Sequence, residues 1–78
     1  MSLLVYVTTD DCRLCEHGRG VLDELGVERH EIRADAGEAG ELAARGIPLS
    51  FLPVLTDGER VIAYGRFSAK RLRRELRL

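Results

Sequence analysis

The sequence has no long apolar run. Its 78 residues contain nothing close to the roughly 18 apolar residues that a membrane-spanning helix needs. The N-terminus also lacks the basic segment and long apolar core of a secretory signal peptide. These absences predict a cytoplasmic protein with no membrane partner. The length predicts a single domain over residues 1–78, with one modest hydrophobic core.

An excess of charge of one sign is also lacking. The 12 basic and 13 acidic residues give a formal net charge of -1, and their signs are mixed along most of the chain. This balance argues against nucleic acid or an anionic membrane as the partner. Residues 70–77 are locally basic, but no aromatic residue interleaves with these charges. We interpret them as the solvated face of an amphipathic helix, with a nucleic-acid patch and a docking surface for an acidic protein partner as the alternatives.

Cysteine is scarce, and the two cysteines of the chain, Cys12 and Cys15, lie three positions apart. They directly follow the strand-like apolar run 3–7. In a reducing compartment such a pair is not expected to form a permanent structural bridge, which favours a catalytic or metal-binding role. Two thiols at the start of a helix can close a small disulfide, and the helix N-terminus stabilises a thiolate on the first. The order strand, cysteine pair, helix therefore points to dithiol redox chemistry.

The first half of the chain predicts a strand, a helix and a second strand. The run 3–7 is typical of a central strand covered on both faces. A helix is predicted from Arg13 until Gly26, which fits the left-handed position after a helix. We interpret Gly18 and Gly20 as sites of close packing. The apolar positions of this helix are Leu14, Gly18, Val21, Leu22 and Leu25. The mixed run 27–33 is typical of an edge strand with one wet side.

The second half begins with a short helix and a hairpin. Asp35 is expected to cap the helix while Glu38 reaches back to it, and Gly46 is expected to end it. Two apolar runs, 54–56 and 60–63, flank the dipeptide Asp57-Gly58. This arrangement predicts a β-hairpin.

A third helix closes the chain. Ser68 is a good N-cap, and Phe67 and Leu72 have the spacing of a hydrophobic staple. The complete order is βαβαββα, in which the helix-linked first two strands are parallel and the hairpin is antiparallel. We therefore predict an α/β fold with a four-stranded mixed sheet and helices on both faces.

The chain resembles the thioredoxin superfamily, and within it the glutaredoxin-like branch, over nearly its whole length. The resemblance rests on the order of elements, on Cys12-Arg13-Leu14-Cys15 after the first strand, and on Leu52-Pro53-Val54 at the start of the third. It implies that the bond before Pro53 is cis and that this proline lies against the disulfide. It also implies a thioredoxin-like, glutaredoxin-type fold.

The resemblance implies a thiol–disulfide oxidoreductase. Cys12 would attack a substrate disulfide, and Cys15 would then attack Cys12 to release the reduced product. We expect Cys12 to be the more exposed thiol and Cys15 to be shielded. Arg13 would favour the Cys12 thiolate, whereas Asp10 and Asp11 would oppose it. The resemblance also places substrate-binding residues around the pair, namely Arg13, Leu14, Leu52 and Pro53.

Two departures from the glutaredoxin pattern bear on the partners. Glutaredoxins commonly have Pro-Tyr between the cysteines, where this chain has Arg13-Leu14. In 64–68 one glycine is present and the acid that helps to hold the γ-glutamyl group of glutathione is missing. The implied substrate is a protein or small molecule that contains a disulfide. The implied reductant is glutathione or thioredoxin reductase, and we expect a monomer with no bound cofactor.

Two other functions remain open. Zinc normally takes four ligands, and beyond the cysteines the favoured soft ligands are only His17 and His30. A site shared between two chains, or an iron–sulfur cluster bridging a dimer with help from glutathione, is the metal alternative. The other is a non-catalytic thioredoxin-like binding module. We interpret His17 as a solvated helix residue, His30 as a packed strand residue, and Tyr6 and Tyr64 as core aromatics rather than site residues.

Overall fold

A computed structural model describes residues 3–78 of the chain. The elements in chain order are β1 (Val5–Thr8), α1 (Arg13–Glu24), β2 (His30–Arg33), α2 (Gly37–Ala44), β3 (Val54–Thr56), β4 (Val61–Tyr64) and α3 (Ala69–Leu76). The strands form one four-stranded sheet in the order β2-β1-β3-β4. β1 and β2 are parallel, whereas β3 is antiparallel to both β1 and β4. This is a thioredoxin/glutaredoxin-like topology, so the predicted fold class is confirmed.

The helices cover both faces of the sheet, as predicted. The α1/α3 face is the side of the sheet on which helices α1 and α3 pack, and its cluster is Tyr6, Val21, Leu22, Val27, Leu55, Phe67 and Leu72. The α2 face is the opposite side, and its cluster is Val7, Ile32, Ala39, Leu42, Ile47 and Val54. Successive residues of β1 thus point to opposite clusters, as the pleat of a strand requires. The strand lies inside the sheet and is buried from Tyr6 to Thr8.

The end of α1 is as predicted. Gly26 has φ 68°, in the left-handed region where a side chain would be strained. Its N–H donates to the carbonyl of Asp23 at 3.1 Å, and the N–H of Val27 donates to that of Leu22 at 2.9 Å. These are the paired bonds of a Schellman motif, which satisfy the last helical carbonyls.

The buried stripe of α1 differs from the predicted one. Leu14 is 37% exposed and Cys15 is 1% exposed, so Cys15 takes the buried position that was assigned to Leu14. Of the two glycines interpreted as close-packed, a Cβ on Gly18 would overlap the hydroxyl of Tyr6, but one on Gly20 would meet nothing within 4 Å. The prediction is therefore confirmed at Gly18 and wrong at Gly20.

The start of α2 corrects another prediction. Its N-cap is Ala36, and no side chain caps the helix. The carboxylate of Asp35 lies 3.3 Å from Nε of Arg33 instead. Glu38 pairs with His30, whose side chain is 49% exposed and whose Nε2 lies 3.2 Å from the Glu38 carboxylate. His30 is therefore a surface residue of the edge strand and not a packed one.

The hairpin and the last helix begin as predicted. Oδ1 of Asp57 accepts hydrogen bonds from the N–H groups of Glu59 and Arg60, both at 2.9 Å. These backbone hydrogen bonds lower the pKa of Asp57. Oγ of Ser68 accepts from the N–H of Arg71 at 3.3 Å and caps α3.

No helix within residues 3–78 is long and apolar enough to cross a membrane.

Candidate active site

The sheet register brings the loop that carries Cys12 and the loop that carries Pro53 to the same end of the sheet. Val7 of β1 lies opposite Val54 of β3, so Thr8 and Pro53 extend from the same end of two neighbouring strands. The loop that carries Cys12 leaves β1 at this end. The Leu52–Pro53 bond is cis, as the resemblance implied, and Pro53 is fully buried. Its carbonyl accepts a hydrogen bond from the N–H of Gly65, just after β4, at 2.9 Å.

Cys12 and Cys15 form a disulfide at the N-terminus of α1, and their Cα atoms are 5.2 Å apart. Cys12 is the N-cap residue, with extended backbone. The N–H of Cys15 donates to Sγ of Cys12 at 3.1 Å. This sulfur therefore caps the helix, in the position where a Ser or Asp oxygen is usually the acceptor. A hydrogen bond and the positive end of the helix dipole meet at the same sulfur, and both favour negative charge there after reduction.

The two sulfur-bearing residues differ in exposure. Cys15 is 1% exposed, because it belongs to the buried stripe of α1. Cys12 is half-buried and reaches the surface. The predicted difference between a more exposed first cysteine and a shielded second one is confirmed.

The charged residues before and after Cys12 lie at the surface. Asp10 forms an ion pair with Arg33, and Oδ2 lies 2.7 Å from Nη2 of the guanidinium. This pair offsets an acidic charge that would oppose a thiolate on Cys12, although its exposure leaves it screened by salt. Asp11 has φ 50°, a left-handed conformation that aspartate tolerates better than most residues. Arg13 and Leu14 are both exposed beside Cys12.

Tyr6 lies beneath the cysteine pair, whereas the sequence had favoured a core aromatic over a residue that borders the site. It is 0% exposed, and its hydroxyl donates to the carbonyl of Cys15 at 2.7 Å. Burial raises the pKa of Tyr6 to about 12, so the hydroxyl keeps its proton at neutral pH. The tyrosine is therefore a core residue that also contacts the backbone of the site. The signal in the sequence is the glycine at position 18, within a predicted helix, which leaves room for the hydroxyl of a tyrosine on the preceding strand.

Three further exposed side chains, His17, Phe51 and Tyr64, belong to the elements that form the site. Nε2 of His17 lies 3.1 Å from the carbonyl oxygen of Phe67, which can only accept, so Nε2 carries the hydrogen. His17 is exposed, as predicted, but it also ties α1 to the segment before α3. Tyr64 is 63% exposed rather than core, and its ring lies 6.3 Å from that of Phe51, which is 70% exposed. These aromatic rings flank the strand ends that carry Pro53 and Gly65.

Within residues 3–78, no group of three or more His, Cys, Asp or Glu side chains could hold a metal ion. Neither His17 nor His30 joins the cysteines in such a group. His17 instead bonds to the carbonyl of Phe67, and His30 bonds to Glu38.

Comparison of the chain with protein-family models, with curated proteins and with solved structures found no match. The fold and the site together define a small α/β domain of thioredoxin-like topology. A Cys-x-x-Cys disulfide lies at the N-terminus of its first helix.

Proposed function

We propose that this protein is a small thiol–disulfide oxidoreductase that reduces disulfides in proteins or small molecules. The observation that carries the proposal is the Cys12–Cys15 disulfide at a helix N-terminus, with one cysteine accessible and the other 1% exposed. Such an arrangement exposes one sulfur to a substrate and buries the second, which can then attack the first to resolve a mixed disulfide. A structural cross-link between residues three apart closes so short a loop that it would stabilise the fold little.

The reaction begins with the reduced protein. The thiolate of Cys12 attacks one sulfur of the substrate disulfide, so that a mixed disulfide forms and the other substrate sulfur leaves as a thiolate. Cys15 then loses its proton and attacks Sγ of Cys12. The mixed disulfide breaks, the second substrate sulfur leaves, and both substrate thiolates take up protons. The substrate gains two electrons, and the protein is left in the disulfide form that the structure shows.

We assign a substrate-binding role to Arg13, Leu14, Leu52 and Pro53, of which Pro53 is fully buried and acts through the backbone that it holds beside Leu52. Arg13 and Leu14 are exposed beside Cys12, and Leu52 and Pro53 lie at the same edge of the sheet. Pro53 has no N–H, and its carbonyl already accepts from Gly65. We therefore place the pairing with an extended substrate segment on the backbone of Leu52, whose side chain is half-buried.

The cycle requires a reductant that returns two electrons to the Cys12–Cys15 disulfide. We propose glutathione or thioredoxin reductase in this role, with the protein acting as a cytoplasmic monomer without a bound cofactor. The two donors are separated by following nicotinamide oxidation in two coupled assays. One contains glutathione with glutathione reductase, and the other contains thioredoxin reductase. Both assays contain insulin as the disulfide that accepts the electrons, and the donor that supports turnover of the wild type but not of Cys12→Ser is the class that the protein uses.

The central test is capture of the mixed disulfide. Reduced Cys15→Ser is mixed with insulin or with the mixed disulfide of cysteine and glutathione, and the products are measured by intact mass. The expected result is an adduct on Cys12 that dithiothreitol removes. Cys12→Ser is the matched control and should form no such adduct under the same conditions. Absence of an adduct with every disulfide tried, in a folded protein with a free Cys12 thiol, would overturn the proposed mechanism.

A further inference from the structure

The hydroxyl of Tyr6 lies in a closed space between β1, α1 and the segment before α3. The side chain is 0% exposed, and its hydroxyl donates to the carbonyl of Cys15 at 2.7 Å. Its ring and that of Phe67 pack edge to face, with ring centroids 5.5 Å apart. Within the described residues, no buried side-chain nitrogen or oxygen lacks a hydrogen-bond partner. The hydroxyl is thus matched to one backbone atom of the cysteine motif.

The shape of α1 makes room for this hydrogen bond. A Cβ on Gly18 would overlap the Tyr6 hydroxyl and would lie 3.3 Å from Cδ2 of Phe67. Gly20, two residues later in the same helix, has open space in the corresponding direction. A glycine within a helix costs on the order of 1 kcal/mol relative to alanine. At Gly18 that cost coincides with the place where the hydroxyl reaches the helix.

We propose that Tyr6 is a positioning residue for the redox pair. Its hydroxyl holds the carbonyl of Cys15, and so fixes the first turn of α1 and the place of the Cys15 thiol relative to Cys12. This inference rests on the proposed function, because it assigns Tyr6 to the step in which Cys15 attacks Cys12. Closure of the disulfide within one chain is an intramolecular reaction, and its effective concentration depends on how well the two sulfurs are held.

Loss of the hydroxyl should therefore make the disulfide easier to reduce. Tyr6→Phe keeps the ring and its packing against Phe67 but removes the donor to Cys15. The first turn is then free to shift, and the effective concentration of Cys15 falls. We expect the equilibrium constant for disulfide formation to fall about tenfold, which corresponds to about 30 mV for a two-electron couple. The proton on Tyr6 is retained throughout, because the pKa of Tyr6 is about 12.

The experiment equilibrates each variant with mixtures of reduced and oxidised dithiothreitol at neutral pH and measures the oxidised fraction by alkylation and mass. Gly18→Ala displaces the hydroxyl and should give the same fall as Tyr6→Phe. The double variant should lie within about twofold of Tyr6→Phe alone, since both changes break one interaction. Gly20→Ala is the matched control on the same helix and should behave as wild type.

A variant of Phe67 separates positioning by the Tyr6 hydroxyl from packing of the Tyr6 ring. Phe67→Leu removes the ring contact but keeps the hydroxyl, so it should lower the thermal midpoint and leave the equilibrium with dithiothreitol unchanged. The proposal is overturned if folded Tyr6→Phe stays within about twofold of wild type, or if Gly18→Ala matches Gly20→Ala. If Tyr6→Phe does not fold, Gly18→Ala against Gly20→Ala decides.

This readout is independent of any physiological substrate. A protein that forms no adduct with disulfide substrates but shows the Tyr6→Phe shift would refute the proposed oxidoreductase and retain the positioning of the pair. An adduct without the shift would do the reverse.

Discussion

The two faces of the sheet are built differently. The α1/α3 face carries the rings of Tyr6 and Phe67 and a buried hydroxyl that reaches the cysteine motif. The hydrophobic cluster of the α2 face consists of aliphatic side chains, and helix α2 has no side-chain cap. Charged contacts on the α2 side, such as His30 with Glu38, lie at the surface. Exposed pairs of this kind contribute little to stability.

This difference separates two roles, the support of the sheet and the positioning of Cys15. An aliphatic face needs only the right volume, because dispersion and burial are not directional. A hydrogen bond to one carbonyl requires a fixed distance and direction. The α2 face therefore holds the sheet in place, and the α1/α3 face also sets the geometry of Cys15. Three predictions test this contrast, beginning with the largest effect.

The first prediction compares the same truncation on the two faces. Leu22 is 0% exposed in the larger cluster, whereas Leu42 is 7% exposed in the smaller one. Leu22→Ala should lower the free energy of unfolding by about 4 kcal/mol and Leu42→Ala by about 2 kcal/mol, because the deeper site leaves the larger cavity. Urea unfolding at equilibrium measures both. Equal costs would show that the two faces support the sheet equally.

The second prediction concerns alkaline pH. The pKa of Tyr6 is raised by burial from 10.0 to about 12 in the folded protein. A raised folded pKa gives stability that is complete below the unfolded value and is lost as pH rises toward the folded one. The free energy of unfolding should therefore fall by about 1.4 kcal/mol between pH 9 and pH 11. Urea titrations at these pH values measure it.

Tyr6→Phe is the control for this prediction and should lose the pH-dependent part assigned to Tyr6. The cluster of the α2 face contains no ionisable side chain. Truncations there should therefore leave the pH dependence of the free energy of unfolding unchanged. The same slope in wild type and in Tyr6→Phe would contradict the assignment.

The third and smallest effect concerns the helix N-termini. Ser68 caps α3, so Ser68→Ala should lower the free energy of unfolding by about 1 kcal/mol. Ala36 occupies the N-cap of α2 with extended backbone, which a serine can adopt. Ala36→Ser should raise the free energy of unfolding by roughly 0.5–1 kcal/mol. Both are measured by urea unfolding, and a loss on Ala36→Ser would show that this N-terminus has no room for a cap.

The sequence predicted the features that neighbouring residues decide. Gly26 ends α1, Asp57-Gly58 turns the hairpin, and Ser68 caps α3, because each depends on hydrogen bonds within about four residues. The order of elements then predicted the parallel pair and the antiparallel hairpin, and the resemblance supplied the glutaredoxin-type fold. At the site, the mechanism that the resemblance implies predicted Cys12 as the more exposed thiol and Cys15 as the shielded one, and the burial of the two residues agrees.

The features that the sequence did not predict depend on distant partners. Asp35 is an exception, because α2 has Ala36 rather than Asp35 at its N-cap, and the Asp35 carboxylate lies near Arg33, only two residues before it. Leu14 was assigned to the buried stripe, but the rotation of α1 places Cys15 inward above Tyr6. A helical pattern does not fix that rotation when apolar residues occupy adjacent positions. Likewise, nothing within a few residues of Tyr6 indicates that its hydroxyl meets Cys15.

The outer strands of the sheet have a consequence for association between molecules. On one side, Glu31 and Arg33 of β2 are held in ion pairs with Arg19 and Asp10. On the other, the pairing of β3 with β4 has a register shift between Leu55 and Thr56. Short, charged or irregular margins are poor templates for the growth of a sheet from one molecule to the next. Concentrated samples should therefore resist polymerisation through strand addition.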